Sequence, residues 1–330
     1  MKTLNAVIYG AGRMGERHLE SMLKIDFIKV AGIISRSGRV MDSAARERIP
    51  SFPDPESCFA AVKPDMVNVC LPTFLHKDAV IASMKNGADV FVEKPFALTL
   101  EDIDEMLAAE RETRRRIMVA HVCRFMPQYQ YIKKTAESGK YGNIISAAFD
   151  RESATPFWSA GHWLHDKNLS GGTLMDLSIH DIDLANWLLG TPVQFKAFES
   201  ELKKRSGPSH VVSNLQYASG VHATVTANHL MPRGYPFTAA YRVMFEDAVF
   251  DWNTSNTKPG CIYMNDGKEP SFIPVSDLNY NYSGDPYVSE IAAFAECIIQ
   301  GKPFPMGAME ARFAVETVLN LANHREKTFI

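Results

Sequence analysis

The sequence predicts an α/β protein in two parts. The first is an N-terminal Rossmann domain with a doubly wound parallel sheet; the second is a C-terminal α+β domain with a large, mostly antiparallel open sheet. Three observations lead there. Short β-rich runs alternate with helical patterns from Thr3 to about Ala120, as in β-α-β units. The first of these strands runs directly into Gly10-x-Gly12-x-x-Gly15 and then into a helix. From Gly142 onward long strand-like runs replace that alternation, the pattern of an antiparallel sheet with helices on one face.

In order, the first-half strands are expected at Leu4–Tyr9, Lys29–Ile34, Met66–Leu71, Asp89–Val92 and Ile117–His121, with helices at Met14–Lys24, Leu75–Asn86 and Leu100–Arg115. The second half offers strands at Ile144–Arg151, Val193–Leu202, Val211–Tyr217, Val221–Asn228 and Ala239–Phe245. Gly171–Gly190 reads as one helix after a glycine pair, and Pro286–Gln300 and Ala308–Asn323 read as closing helices. The expected division is a dinucleotide-binding domain over 1–122 and a second domain over 123–330, the last helices packing back on the first domain.

Composition narrows the class. A chain of 330 residues with 46% hydrophobic and 22% charged residues is an ordinary globular protein, long enough for two cores. A net charge of −3 without a run of one sign argues against nucleic-acid and membrane partners. Five dispersed cysteines without a C-x-x-C pair argue for reduced thiols in the cytoplasm and against a structural metal site.

The motifs concentrate where parallel strands end, which is where such sheets hold ligands. In Gly10–Gly15, Gly10 permits the tight turn, Gly12 lets the backbone approach a pyrophosphate, and Gly15 lets helix and strand pack; Arg13 and Met14 complete the turn. Leu71, Pro72 and Thr73 follow the third long strand and line the cofactor cleft. His76 beside them reads either as a cofactor contact or as a helix-start residue with a solvent-facing ring. Glu93-Lys94-Pro95 follows the next strand and is expected among the cofactor contacts, and the proline restricts Lys94 to extended geometry and aims its side chain. An ammonium fixed there would hold a substrate hydroxyl and stabilise charge developing on it.

After the second strand the acid that bonds an NAD ribose is replaced by Ser35 and then Arg36. A serine donor and a cationic fork suit a 2′-phosphate, so NADP(H) is favoured over NAD(H). In the second half, Asp176, His180 and Asp183 fall within a helical stripe about 60° wide. That stripe reads as a solvated face or as a set of reacting groups. The loop before it carries Trp158, His162, Trp163 and His165, whose aromatic faces and polar edges suit the wall of a sugar-sized pocket or plain loop packing.

The GAGRMG turn, Glu93-Lys94-Pro95, the D-x-x-x-H of Asp176 and His180, and the later HVCRFMPQY stretch together resemble the Gfo/Idh/MocA oxidoreductases over nearly the whole chain. The resemblance implies a Rossmann domain, an open C-terminal sheet used for homodimer or homotetramer contact, and catalysis in the cleft between the domains by Lys94, Asp176 and His180. It also implies a substrate arginine at Arg124 and a Lys94–Pro95 peptide that is often cis. The expected function is hydride transfer between a nicotinamide and a secondary alcohol of a sugar, cyclitol or related polyol, with His180 as general base. Two alternatives stand beside it: a non-catalytic dinucleotide-binding sensor of the same fold, and a metal hydrolase built from His162, His165, Asp176 and His180.

Overall fold

The computed structural model describes residues 2–157, 159–203, 205–255, 260–274 and 284–330. The first half runs β1 (Leu4–Tyr9), α1 (Arg13–Met22), β2 (Ile28–Ile34), α2 (Asp42–Glu47), β3 (Ser51–Phe52), α3 (Pro55–Ala61), β4 (Met66–Val69), α4 (His76–Lys85), β5 (Asp89–Glu93), α5 (Leu100–Thr113) and β6 (Ile117–Ala120). The second half continues α6 (Pro127–Ser138), β7 (Ile144–Ala154), α7 (Lys167–Ser170), α8 (Gly172–Asp176), α9 (Ile179–Leu189), β8 (Pro192–Leu202), β9 (Arg205–Tyr217), β10 (His222–Met231), β11 (Thr238–Phe245), β12 (Ala248–Asn253), β13 (Cys261–Met264) and β14 (Ser271–Phe272). It closes with α10 (Pro286–Gln300), α11 (Ala308–Asn323) and β15 (Arg325–Phe329). Among the described residues no helix is long and apolar enough to cross a membrane.

The chain forms two compact units: Met1–Phe125 with Tyr280–Phe313, and Met126–Asn279 with Ala314–Ile330. The segment carrying α10, one of the last helices expected to pack back on the first domain, groups with the first half. The reason is the apolar face of α10, where Ile291, Ala292, Phe294 and Ala295 are buried. Phe294 packs on Phe91 of β5 at a ring separation of 5.4 Å, and Asp285 before α10 pairs with Arg17 of α1 at 2.7 Å.

In the first unit six parallel strands lie in the order β3-β2-β1-β4-β5-β6. Every residue of β4, β5 and β6 is buried, as expected of strands covered on both faces. Register then aligns the strand ends. Tyr9 pairs with Ile34 and Val69, Val69 with Val92, and Glu93 with Ala120. The loops after β1, β2, β4, β5 and β6 consequently emerge along one carboxyl edge.

Among the described residues the second unit holds a nine-stranded sheet in the order β14-β13-β12-β11-β7-β10-β9-β8-β15. It is mostly antiparallel, with parallel pairs at β10–β7 and β15–β8. The segment 171–190, expected as one helix, is two. The Thr173 carbonyl accepts both Leu177 N–H and Ser178 N–H at 3.0 Å, and this widened turn ends α8 before α9 restarts. An ideal 100° wheel accordingly does not carry across from Asp176 to His180.

A buried ion pair fixes α9 on the sheet. Arg151 of β7 donates from Nε and Nη2 to the two Asp181 carboxylate oxygens at 2.8 and 2.7 Å, with Asp181 fully buried. Asp183 is also buried, so the stripe is no solvated face. Replacing Arg151 by Leu should lower the free energy of unfolding by about 3–5 kcal/mol, because it strands a desolvated carboxylate. Urea titration of wild type and R151L followed by far-UV circular dichroism measures this; matching midpoints would show that the pair contributes nothing.

Candidate active site

The glycine turn shows what each glycine is for. A Cβ on Gly15 would stand 1.9 Å from the Gly10 carbonyl oxygen, and one on Gly10, at φ +120°, would stand 2.6 Å from the Cys70 oxygen. These two positions are dictated by the protein's own packing. A Cβ on Gly12 would meet nothing within 4 Å, so the space before the N-terminus of α1 is open. Gly12 lends that helix no side-chain cap, and the acidic residue of its first turn is drawn aside, Glu16 accepting from Ser43 N–H at 2.9 Å. An uncapped helix start facing open space fits a dinucleotide pyrophosphate. Arg13 is exposed and Met14 half-buried at the same turn.

Ser35 and Arg36 follow β2 at the same edge. The Ser35 hydroxyl donates to the Arg39 carbonyl at 2.8 Å and the residue is buried, so the expected donor is already engaged within its own loop. Arg36 and Arg39 are the exposed cations there. Leu71 and Pro72 are half-buried and Thr73 is buried.

His76 takes neither expected place. It is fully buried at the start of α4, with Nε2 2.9 Å from the Leu71 carbonyl and Nδ1 3.0 Å from the Pro95 carbonyl. Its ring lies between the loop after β4 and the loop after β5, a neutral ring donating to one of the two carbonyls, and it has no surface to offer a cofactor. Burial, resisted by those carbonyls, pulls its pKa below the ordinary imidazole value.

The Lys94–Pro95 peptide is cis, and Lys94 is half-buried. Glu93, expected among the cofactor contacts, instead turns into the protein. Its Oε1 lies 2.8 Å from His18 Nε2 and its Oε2 accepts the Lys94 main-chain N–H at 3.2 Å. The other side of the His18 ring meets Asn68 Nδ2 and Cys70 Sγ, each at 3.3 Å. Burial alone would discharge the His18–Glu93 pair, but mutual attraction prevails. Cys70 and Glu93 hold the His18 pKa well above the imidazole range, and His18 holds Glu93 below the carboxylate range.

Glu290 of α10 is fully buried in the same unit, with no hydrogen-bond partner for either oxygen among the described residues; burial together with Glu93 raises its pKa well above normal. None of His18, Glu93's inward turn or Glu290 was singled out from sequence. The signal for His18 and Glu290 was helical spacing on α1 and α10 among apolar neighbours, which ordinary core residues share. Arg124, half-buried in a short helical turn after β6, completes this edge.

In the second unit Asp176 ends α8 and His180 lies in the first turn of α9, both half-buried. A residue missed from sequence stands with them. His229 Nε2 of β10 is 4.0 Å from the Asp176 carboxylate, and its Nδ1 is 3.4 Å from Thr173 Oγ1. Strand alternation carried the signal, since Ala223, Val225, Ala227 and His229 share the buried face of β10.

His162 and His165 point elsewhere. With Asp166, Lys167, Glu201 and Gly207 they line an open recess of about 460 Å³, of which Asp176 and His180 form no part. Their two rings pack on each other at 5.3 Å. Among the described residues no three His, Cys, Asp or Glu side chains are grouped to hold a metal, so the hydrolase set is not assembled. Trp163 lies in the same loop, and Trp158 lies outside the described residues.

Comparison with known proteins identifies the class. Residues 4–121 match the oxidoreductase family with an NAD-binding Rossmann fold, and residues 129–251 match the GFO/IDH/MocA C-terminal domain. The chain belongs to the Gfo/Idh/MocA oxidoreductase family. It is similar to the scyllo-inositol 2-dehydrogenase (NAD(+)) of Bacillus subtilis, 25% identical over 97% of this chain and 93% of that protein. It is similar also to the inositol 2-dehydrogenase of Rhizobium meliloti, 26% identical over 91% of this chain and 90% of that one. The solved aldose-aldose oxidoreductase of Caulobacter crescentus, complexed with glycerol, shares the fold with a TM-score of 0.85 at 20% identity, covering 98% of this chain and 97% of that one.

The charge state of Glu290 gives a test of the buried cluster. A carboxyl whose pKa is raised on folding is penalised above its unfolded pKa, where the unfolded chain releases a proton that the native state retains. Glu290→Gln should therefore be more stable than wild type by an amount that grows from about pH 4.5, near the unfolded carboxyl pKa, to about pH 8. Urea midpoints at the two pH values test this; an unchanged difference would show that Glu290 is ionised in the native protein.

Proposed function

We propose that this oxidoreductase moves a hydride between a nicotinamide and a secondary alcohol of a sugar, cyclitol or related polyol, and that Lys94, Asp176 and His180 carry the chemistry. The observation that supports it most is the carboxyl edge of the first unit, where an uncapped helix start behind Gly12 and a Lys94 side chain set by the strand end and Pro95 follow β1 and β5 of one sheet. The inositol dehydrogenases named above, similar over nine-tenths of the chain, support the substrate class.

When bound, the nicotinamide supplies the hydride acceptor or donor. Gly10, Gly12, Arg13, Met14 and Gly15 hold the pyrophosphate end, and Leu71, Pro72 and Thr73 flank the cofactor farther along the edge. Lys94 donates to the reacting hydroxyl and stabilises alkoxide character on its oxygen. His180 takes the hydroxyl proton, an imidazole being matched to neutral pH. Asp176, held near His229, orients the imidazole or a neighbouring substrate hydroxyl. Arg124 and Trp163 are assigned to substrate contact; His162, in a recess apart from Asp176 and His180, is not.

Two further readings belong here. The five cysteines are free thiols, which supports a cytoplasmic protein. Exposed Val193 and Phe198 on β8 support a homodimer or homotetramer through the second unit's sheet.

His180→Ala should lower kcat by about 10²-fold, the usual scale for a positioned proton-transfer group, with cofactor affinity preserved. Lys94→Met should lower kcat similarly. Steady-state rates across a panel of inositols, aldoses and glycosides, with NAD(P)H binding read by fluorescence, test both. A K94M enzyme that only loses cofactor affinity makes Lys94 a cofactor ligand.

We further propose a preference for NADP(H) over NAD(H). Exposed Arg36 and Arg39, with no acid at the end of β2, suit a 2′-phosphate better than a ribose hydroxyl. Comparing kcat/KM for the two cofactors should favour NADP in wild type and shift toward NAD in Ser35→Asp. A wild-type preference for NAD would defeat the proposal.

A further inference from the structure

The reaction proposed above uses Lys94 but leaves unexplained why its neighbour Glu93 is buried against a histidine. His18 is fully buried and Glu93 nearly so, 7% exposed. Ion pairs removed from water to this extent contribute little net stability, and apolar residues of similar volume often serve as well or better. Stability alone is a weak reason for such a pair. Its geometry offers another. Glu93 divides its carboxylate: Oε1 faces His18 Nε2 at 2.8 Å, and Oε2 accepts the Lys94 main-chain N–H at 3.2 Å. His18 lies on α1, the helix whose first turn follows Gly12.

We propose that His18 and Glu93 are positioning residues for Lys94, the helix that opens at the glycine turn setting, through this carboxylate, where the lysine side chain departs from the end of β5. The role rests on Lys94 acting at the reacting oxygen, as proposed above. The surroundings keep the pair rigid. Phe91 and Tyr287 stand 5.6 and 6.1 Å from the His18 ring, and Arg17, stacked on Tyr287 at 4.6 Å, is anchored to Asp285.

Among the described residues, the charged and titratable groups facing the ring include Glu93 from β5, Cys70 after β4, and Tyr287 and Glu290 from α10. Burial and Glu93 raise the Glu290 pKa, and burial raises that of Cys70. His76 holds the far side of the same loop through the Pro95 carbonyl. Lys94 thus departs from a main chain gripped on both sides, by His18 through Glu93 and by His76 through Pro95.

The test separates positioning from packing. Wild type, H18L, E93L and the double variant H18L/E93L are reductively methylated with ¹³C-formaldehyde, and the Lys94 signal is assigned by its absence in K94M. Leucine at both positions keeps the interior filled, so the double variant is the one expected to fold as wild type does by circular dichroism and thermal melting. The expected result is that the Lys94 signal leaves its wild-type position in the double variant and in whichever single variants fold. NADPH affinity, read by fluorescence, should stay within about twofold.

With myo-inositol as probe substrate, kcat should fall about 10- to 100-fold, the scale of a displaced catalytic group. H18Q, which keeps a polar group facing Glu93, should recover most of it, and H18L should cost nothing further in a K94M background. A Lys94 signal unmoved in the folded double variant, or equal losses from H18L with and without Lys94, overturns the role of the pair while leaving Lys94 catalytic. A K94M enzyme with wild-type kcat overturns the catalytic reading of Lys94, and the role of the pair with it.

Discussion

Helix α1 can lie as close to β1 as it does only because position 15 carries no side chain. The Gly10 carbonyl occupies the place where a Cβ would stand, 1.9 Å away, and no rotamer change relieves a clash with backbone. From that contact much of the first unit follows. The helix start points its free N–H groups into open space, where their partial positive charge has no side-chain cap. The same helix carries His18 down to the middle strands, and its outer face receives α10. Asp285, 268 residues beyond Arg17 in sequence, and the helix that follows it are thereby committed to this unit through Arg17, Tyr287 and Phe294.

The second unit depends on a comparable constraint of a different kind. Arg151 and Asp181 neutralise each other out of water, and their two parallel bonds fix both the height and the rotation of α9 on β7. His180 is the neighbour of that anchored aspartate, so its direction follows from the pair. The widened turn at Leu177 and Ser178 does the rest, detaching Asp176 from the wheel of α9 and bringing it toward His229. Polar groups inside this unit thus position one another, and the apolar residues around them supply the burial that keeps water from competing for those bonds.

Much of the candidate site was legible because its chemistry is local. A glycine turn between a strand and a helix, a lysine and proline at a strand end, and an acid and histidine four residues apart are all short-range patterns. What escaped were residues whose meaning depends on a distant partner. His18 and Glu290 sit among apolar neighbours at helical spacing and look like core positions. His229 looks like one more inward residue of an alternating strand, and His76 looks like a helix start. Ser35 shows the opposite failure, because its hydroxyl reads as available and is engaged by the Arg39 carbonyl of its own loop.

The sequence by itself determined the two-part architecture, the order of alternating elements in the first half and the glycine turn, because hydrophobic period and backbone permissiveness act over a few residues. Only the tertiary structure decided that 171–190 breaks into two helices and that Glu93 turns inward to His18. Those outcomes depend on which buried groups meet across long stretches of chain. The energy of a desolvated charge is set by its partner's distance, and no local pattern records that distance.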